Sequence, residues 1–482
     1  MVWAKMAKNI WQLAKKEIFV ILALGLILFL GDKLRSYNYA TVPHPAETAD
    51  EYNFAWAGLS LIKQGVPIGW TGIETGYKNI WYEKINVDGI FTEGPGKPIY
   101  KAFRLTEPWF DKPPGFALLV GTYSYLKGAR EFVQTDVGII RRLMLKIALV
   151  TTVLIFLVGT KLYNKWVGLL AALFYSVVPT TVVSSRLVLA ENGYIPLFLA
   201  AILLMDYYIK KKKKIFLILA SVLAAIAILF KLSGISVLLT LLLIVLAFGP
   251  PKEKLKDLIL VFAIGISGLL AFFIYGAYYD WTVFKNVFFA QANLLYGAGA
   301  EVFISVLVRS KVTATKFLSD GWILAAWIAT FIISFTEWKK EKGSTILTIG
   351  LFSYLVTFLI FGSEGYGWYR FPFLPFIIIA LARLIEKIFS EPNILVFLGI
   401  FLLPFGTGLH KLYGIEGFSK FVPVLRIFLI FILSLFAGTI FINKRWMKNI
   451  YRLVFLAMLA FLVLLAIKEI HFFNIDTWYY IT

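Results

Sequence analysis

The sequence predicts an all-α polytopic membrane protein with about thirteen transmembrane helices, interfacial helices and a long first extracytoplasmic loop. Three observations predict it. Of 482 residues, 60% are hydrophobic and only 16% charged, against about 25% charged in ordinary globular chains. The apolar residues come in blocks near the roughly 20 needed to cross a bilayer, recurring from residue 17 to residue 469 with no interval long enough for a large separate soluble enzyme. The 48 Lys and Arg residues, which give a formal charge of +20, fall mostly at block ends, where they anchor helices and set orientation. The charge therefore reads as topology and does not point to nucleic acid.

The first block, Ile18 to Gly31, follows Lys5, Lys8, Lys15 and Lys16. No small-residue cleavage site follows it, so the expectation is an uncleaved helix with a cytoplasmic N-terminus. The later spans are expected at 139–160, 166–183, 193–209, 215–230, 234–249, 257–276, 318–336, 344–362, 371–388, 393–411, 422–442 and 449–469. This alternation collects Lys161 and Lys165, Lys210 to Lys214, Lys252 to Lys256, Lys339 to Lys342, Lys387 and Lys444 to Lys448 on the cytoplasmic side. The C-terminus then lies outside. The block Pro114 to Leu126 is only 13 residues long, and making it cross would put the Lys210 to Lys214 run outside. It is expected to lie on the membrane surface.

The outer side then holds residues 32–138 and a second segment, 279–319. The first contains a helix-like stretch from Asp50 to Gln64, and Asp88-Gly89 between Ile85 and Phe91 signals a hairpin. Long loops of this kind usually carry function. There are no heptads, low-complexity tracts or inverted repeats of the transporter kind. With no Cys, the chain has no disulfide, cysteine nucleophile or thiolate metal site. Three scattered histidines, His44, His410 and His471, argue against a multi-histidine metal site.

Charges in or beside a membrane are costly, about 2.5 to 3.5 kcal/mol at a helix centre, and are usually functional. Five polar groups fall on the outer face. Thr48-Ala49-Asp50-Glu51 opens the loop helix and reads two ways: as a capping box in which Thr48 and Glu51 satisfy each other's backbone N–H, or as adjacent carboxylates for proton abstraction or cation binding. Lys112 of Asp111-Lys112-Pro113-Pro114 either snorkels at headgroup level or meets a lipid phosphate. Arg186 and Glu191 either pair with each other or serve the site. Lys231 stands alone between Phe230 and Leu232, and Tyr369-Arg370 closes the run from Tyr366 before the tenth span.

Carboxylates beside cations at lipid-phosphate depth suit transfer from a lipid-linked phosphate. Lys112, Lys231 and Arg370 can stabilise the departing anion, a contribution of roughly 100- to 1,000-fold per donor, while a carboxylate takes the acceptor's proton. A transporter or flippase of a lipid-linked sugar would share the cationic groove, but it needs ionisable residues near the midplane and paired broken helices.

In order and spacing, Asp50-Glu51, Asp111-Lys112-Pro113-Pro114, Arg186 with Glu191, Lys231 and Tyr369-Arg370 resemble the membrane glycosyltransferases of the C-type fold. Within that group the chain looks most like the protein O-mannosyltransferases and the lipid A aminoarabinose transferase. The resemblance covers residues 17 to 390, so 1–390 is expected to be the catalytic transmembrane module and 391–482 a set of further helices matching no catalytic motif. It implies a polyprenyl-phosphate-linked sugar donor, a lipid, glycan or protein acceptor, inverting single displacement and an extracytoplasmic active site in an integral plasma membrane protein of prokaryotic type. It maps the catalytic aspartate to Asp50, with Glu51 beside it, and the donor phosphate to Lys112, with Arg186, Lys231, Tyr369 and Arg370 in support. In some relatives that aspartate and a second acidic residue, Glu191 here, hold a divalent metal; relatives usually have Asp at that second position.

Overall fold

The computed structural model describes residues 2–48, 50–73, 76–77, 80–83, 103–131, 134–292, 304–307, 309–361, 366–442 and 444–479. The helices are α1 (Val2–Ser36), α2 (Asp50–Gln64), α3 (Pro114–Leu126), α4 (Val137–Leu162), α5 (Lys165–Val177), α6 (Pro179–Ser184), α7 (Ala190–Lys211) and α8 (Lys214–Phe230), followed by α9 (Ile235–Phe248), α10 (Lys254–Ala292), α11 (Gly321–Glu337), α12 (Lys342–Phe361), α13 (Leu374–Ser390), α14 (Ile394–Phe441), α15 (Arg445–Phe472) and α16 (Ile475–Tyr479). Each expected span is largely helical, one divided between α5 and α6 and two sharing α14. By length and composition, α4, α7, α10, α12, both halves of α14, and α15 can each cross a membrane; α5, α8, α9 and α11 are apolar but shorter.

Helix breaks have local causes. The span expected at 166–183 is two helices because Pro179 has no N–H to continue α5 and instead opens α6. In α10, Asp280 is extended and its carboxylate accepts the N–H of Val283 at 2.9 Å, restarting the helix beyond the expected span end at residue 276. The two spans expected at 393–411 and 422–442 meet in α14 at Gly414, whose φ of 67° suits glycine.

The loops expected to share the cytoplasmic side do converge at one end of the bundle. Lys210 and Lys342 reach Asp206 at 2.6 and 3.3 Å, Lys214 pairs with Glu253 at 2.5 Å and with Asp257, and Arg383 and Lys387 reach Glu337 at 3.2 and 2.8 Å. Asp206, Asp257 and Glu337 are buried carboxylates, so basic loops that would repel one another are stitched together by acidic residues.

At the other end, α2 and α3 form a tightly crossed pair. Gly58 and Gly121 meet there: a methyl group on Gly58 would overlap the Ala117 carbonyl, and one on Gly121 would overlap the Gly58 backbone. The expected surface helix is α3, which buries Phe116, Ala117, Val120, Gly121 and Ser124 while leaving Leu118 and Leu126 exposed. Between the two helices runs a small antiparallel sheet of β1 (Gly69–Trp70), β2 (Ile80–Glu83) and β3 (Phe103–Thr106) in the order β1-β3-β2, with Trp70 and Trp81 both opposite Leu105. The Asp88-Gly89 hairpin signal lies outside the described residues.

Candidate active site

Asp50 and Glu51, adjacent at the start of α2, have different surroundings. Glu51 is fully buried and clamped by Arg141 of α4, whose Nε donates to Oε1 at 2.8 Å and whose Nη2 donates to Oε2 at 2.6 Å. The Val188 N–H adds a third bond to Oε1 at 3.0 Å, and Arg141 Nη1 donates to the carbonyls of Tyr39 and Pro43 at 2.8 and 2.7 Å. The capping box is not formed: the buried Thr48 hydroxyl finds no hydrogen-bond partner among the described residues, and the Glu51 carboxylate turns to Arg141. A buried carboxylate is far better stabilised by a bidentate guanidinium than by one backbone N–H. Asp50 stays half-buried beside it.

The Asp111-Lys112-Pro113-Pro114 segment leads into α3, with Pro114 in its first turn. Asp111 accepts the Thr71 hydroxyl at 2.9 Å and the Tyr77 hydroxyl at 2.5 Å, and the Tyr77 oxygen itself accepts the Phe110 N–H at 2.8 Å. Burial pushes the Asp111 carboxyl up to about 6 against the pull of Tyr77, Lys112 and Thr71. The Lys112 ammonium feels the fields of Asp50, Tyr369, Asp111 and Glu191. Burial works against its ammonium, but those four groups outweigh it and raise the pKa. This is not the environment of a snorkelling lysine, which would face headgroups alone.

Lys231 sits where α8 ends. Its backbone is extended, and a tight turn follows because Gly234 packs against the Ala227 carbonyl, where no side chain fits. Its ammonium pairs with Glu191, in the first turn of α7, and lies 4.3 Å from the centre of the Tyr369 ring. The Tyr354 hydroxyl donates to the Tyr369 carbonyl at 2.7 Å and holds that segment. Asp50, Lys112, Glu191, Lys231 and Tyr369, from five distant parts of the chain, thus form one cluster.

One expected site residue, Arg186, is held elsewhere. Arg186 neither pairs with Glu191 nor joins the cluster; its guanidinium is buried and donates to the carbonyls of Val42 at 3.0 Å and Leu34 at 2.8 Å. It fastens the chain leaving α1. Arg370 is buried and donates to the Ser305 hydroxyl at 2.8 Å and the Tyr366 carbonyl at 3.4 Å. Of the two carboxylates expected to hold a divalent metal, Glu191 is engaged by the Lys231 ammonium, which a dication would have to displace. Among the described residues no group of three or more His, Cys, Asp or Glu side chains gathers.

Sequence reasoning missed Arg141, Tyr77 and Thr71. Arg141 had a signal: Arg141-Arg142 is a basic pair at the span end that the expected topology puts outside, where the positive-inside rule does not ask for one. Tyr77 and Thr71 had none, since they reach Asp111 only through the folded loop.

Residues 111–279 match the family model described as dolichyl-phosphate-mannose-protein mannosyltransferase. No curated protein sequence matches the chain. Among solved structures, ArnT from Cupriavidus metallidurans in the apo state aligns with TM-score 0.55 and 13% identity, over 95% of this chain and 78% of that one. The same protein bound to undecaprenyl phosphate aligns with TM-score 0.55 and 13% identity, over 94% and 77%. The archaeal oligosaccharyltransferase AglB from Archaeoglobus fulgidus, in complex with an inhibitory peptide and a dolichol-phosphate, aligns with TM-score 0.51 and 11% identity, over 94% of this chain. The chain spans 56% of the length of that oligosaccharyltransferase. The fold is that of the C-type membrane glycosyltransferases.

Proposed function

We propose that this chain is a membrane glycosyltransferase that moves a sugar from a polyprenyl-phosphate donor to a hydroxyl or phosphate acceptor, with inversion, on the outer side of a prokaryotic plasma membrane. The observation that carries the proposal is the electrostatic coupling of the Lys112 ammonium to Asp50 and Glu191, with the Lys231–Glu191 pair and Tyr369 completing the cluster. It is supported by the match of residues 111–279 to a mannosyltransferase family model and by the undecaprenyl phosphate and dolichol-phosphate in the structurally similar proteins.

In this reading Asp50 is the base. As the acceptor oxygen attacks the anomeric carbon, its proton passes to the Asp50 carboxylate. The bond from that carbon to the phosphate oxygen breaks, and the electron pair leaves on the polyprenyl phosphate. The Lys112 ammonium faces the growing charge, and Lys231 and Tyr369 lie beside it. Glu51 is a positioning residue: locked to Arg141, it fixes the first turn of α2 and so the direction in which Asp50 points.

Residues 391–482 have a supporting place. Trp478 Nε1 donates to Glu47 Oε1 at 2.5 Å, and the His471 ring packs at a tilt against Tyr37 with ring centres 4.6 Å apart, so the C-terminal helices brace the chain that leads from α1 to Asp50.

The test is transfer from a radiolabelled polyprenyl-phosphate sugar to extracted membrane acceptors by the purified protein. Label should reach an acceptor with the intact protein and not with Asp50→Asn. Movement of labelled donor across vesicles without transfer would instead favour a flippase.

A further inference from the structure

A cavity of about 640 Å3 opens at the same end of the bundle as Asp50, between the last turn of α1, the end of α3 and the start of α4. None of its lining residues belongs to the Lys112 cluster. Arg141 and Arg142, neighbours on α4, part company: Arg141 turns inward to Glu51, and Arg142 is exposed and lines the cavity.

Three cations surround it, Lys127, Arg142 and Lys146, against one carboxylate, Asp32. Two tyrosines hold them in place. Arg142 Nε donates to the Tyr39 hydroxyl at 2.7 Å, and the ammonium groups of Lys127 and Lys146 lie 5.8 and 5.5 Å from the centre of the same Tyr123 ring. Like charges gathered around one ring repel unless an anion joins them. The lining helices also present exposed apolar side chains: Val150 is 54% exposed one turn beyond Lys146, Leu126, next to Lys127, is 74% exposed, and Phe29 on α1 is 62% exposed with the Lys33 ammonium 5.5 Å from its ring centre. Cations beside apolar side chains form an amphipathic site. A soluble phosphate would use only its charged half; a lipid phosphate with its chains uses both.

We propose that this cavity binds the phosphate headgroup of an anionic membrane lipid, as a site separate from the Lys112 cluster. Tyr39 connects the two regions, since its carbonyl accepts from Arg141 while its hydroxyl accepts from Arg142. A lipid held there braces the backbone behind Glu51.

The experiment uses the full chain in detergent, incubated with phosphatidylglycerol or phosphatidylcholine, with retained lipid counted by native mass spectrometry. Phosphatidylglycerol should be retained in preference to phosphatidylcholine, and Lys127→Gln and Lys146→Gln should each lower its retention about fivefold, the effect of one basic residue at an anionic lipid surface. Both lysines are exposed, and an unchanged melting temperature confirms that the variants are folded. Lys212→Gln, at the opposite end, should leave retention as it was. Equal retention of the two lipids, an equal loss in Lys212→Gln, or no loss in the Lys127 and Lys146 variants would overturn the proposal. Displacement of phosphatidylglycerol by millimolar inorganic phosphate would also overturn it, by making this a site for a soluble anion.

Discussion

Glu51 and Arg141 face each other in a fully buried bidentate pair, 2.8 and 2.6 Å long, one residue along from the half-buried Asp50. Two adjacent carboxylates thereby take separate tasks, one holding the helix start and the other left open to the cluster. Glu51→Ala should cost about 3 to 5 kcal/mol, because it strands the Arg141 charge in the interior, and should lower the thermal midpoint sharply. Asp50→Asn should leave the midpoint nearly unchanged while turnover falls by about 100-fold or more. Thermal unfolding and transfer rates for both variants check this; near-normal turnover in Asp50→Asn removes it as the base.

Lys112→Ala should weaken donor binding and slow transfer with normal expression, because its ammonium is held charged by Asp50 and its neighbours. Lys112→Arg should not restore the rate, since a planar guanidinium does not occupy the place of a compact ammonium. Unaltered steady-state kinetics in Lys112→Ala would separate this residue from the leaving phosphate.

At the crossing of α2 and α3, Gly58→Ala or Gly121→Ala forces a methyl group into the opposing backbone. Overpacking of this kind costs about 1 to 3 kcal/mol, and the shift of α2 should carry Asp50 away from Lys112. Both the melting temperature and the transfer rate should drop, whereas Gly399→Ala, in a helix with nothing within 4 Å, should lower neither.

The carboxyl of Asp111 is pushed by burial to about 6 from an ordinary 3.8. The folded protein then binds this proton more tightly than the unfolded chain between those two values. Stability from this group is therefore present at the acid end and is lost as pH rises toward 6. Asp111→Asn should flatten that part of the stability profile measured by thermal unfolding from pH 4 to 7. A profile unchanged by the substitution would mean that Asp111 titrates normally.

Orientation can be read by labelling, because the chain has no native Cys. A cysteine in place of Arg130 should react with an impermeant thiol reagent in intact cells, and one in place of Lys212 should not. The reverse pattern would place the Lys112 cluster on the cytoplasmic side.

Much of this molecule is written in local sequence. Apolar blocks long enough to span, basic residues at their ends, Pro114 opening a short helix and Asp50 opening another are consequences of backbone hydrogen bonding and the cost of charge in hydrocarbon, both of which act over one or two turns. Each expected span is therefore largely helical, and Asp50, Lys112, Lys231 and Tyr369 could be named before their neighbours were known. Only the tertiary structure decided how the charges pair. Glu51 could satisfy Thr48 or a distant cation, and the choice fell to Arg141, 90 residues away, because burial makes a bidentate ion pair worth more than a local cap. Arg186 could join Glu191 five residues on, yet packing turned it to the carbonyls of Leu34 and Val42 and left Glu191 to Lys231. The strength of a charge pair depends on its burial and geometry, and those belong to the folded chain.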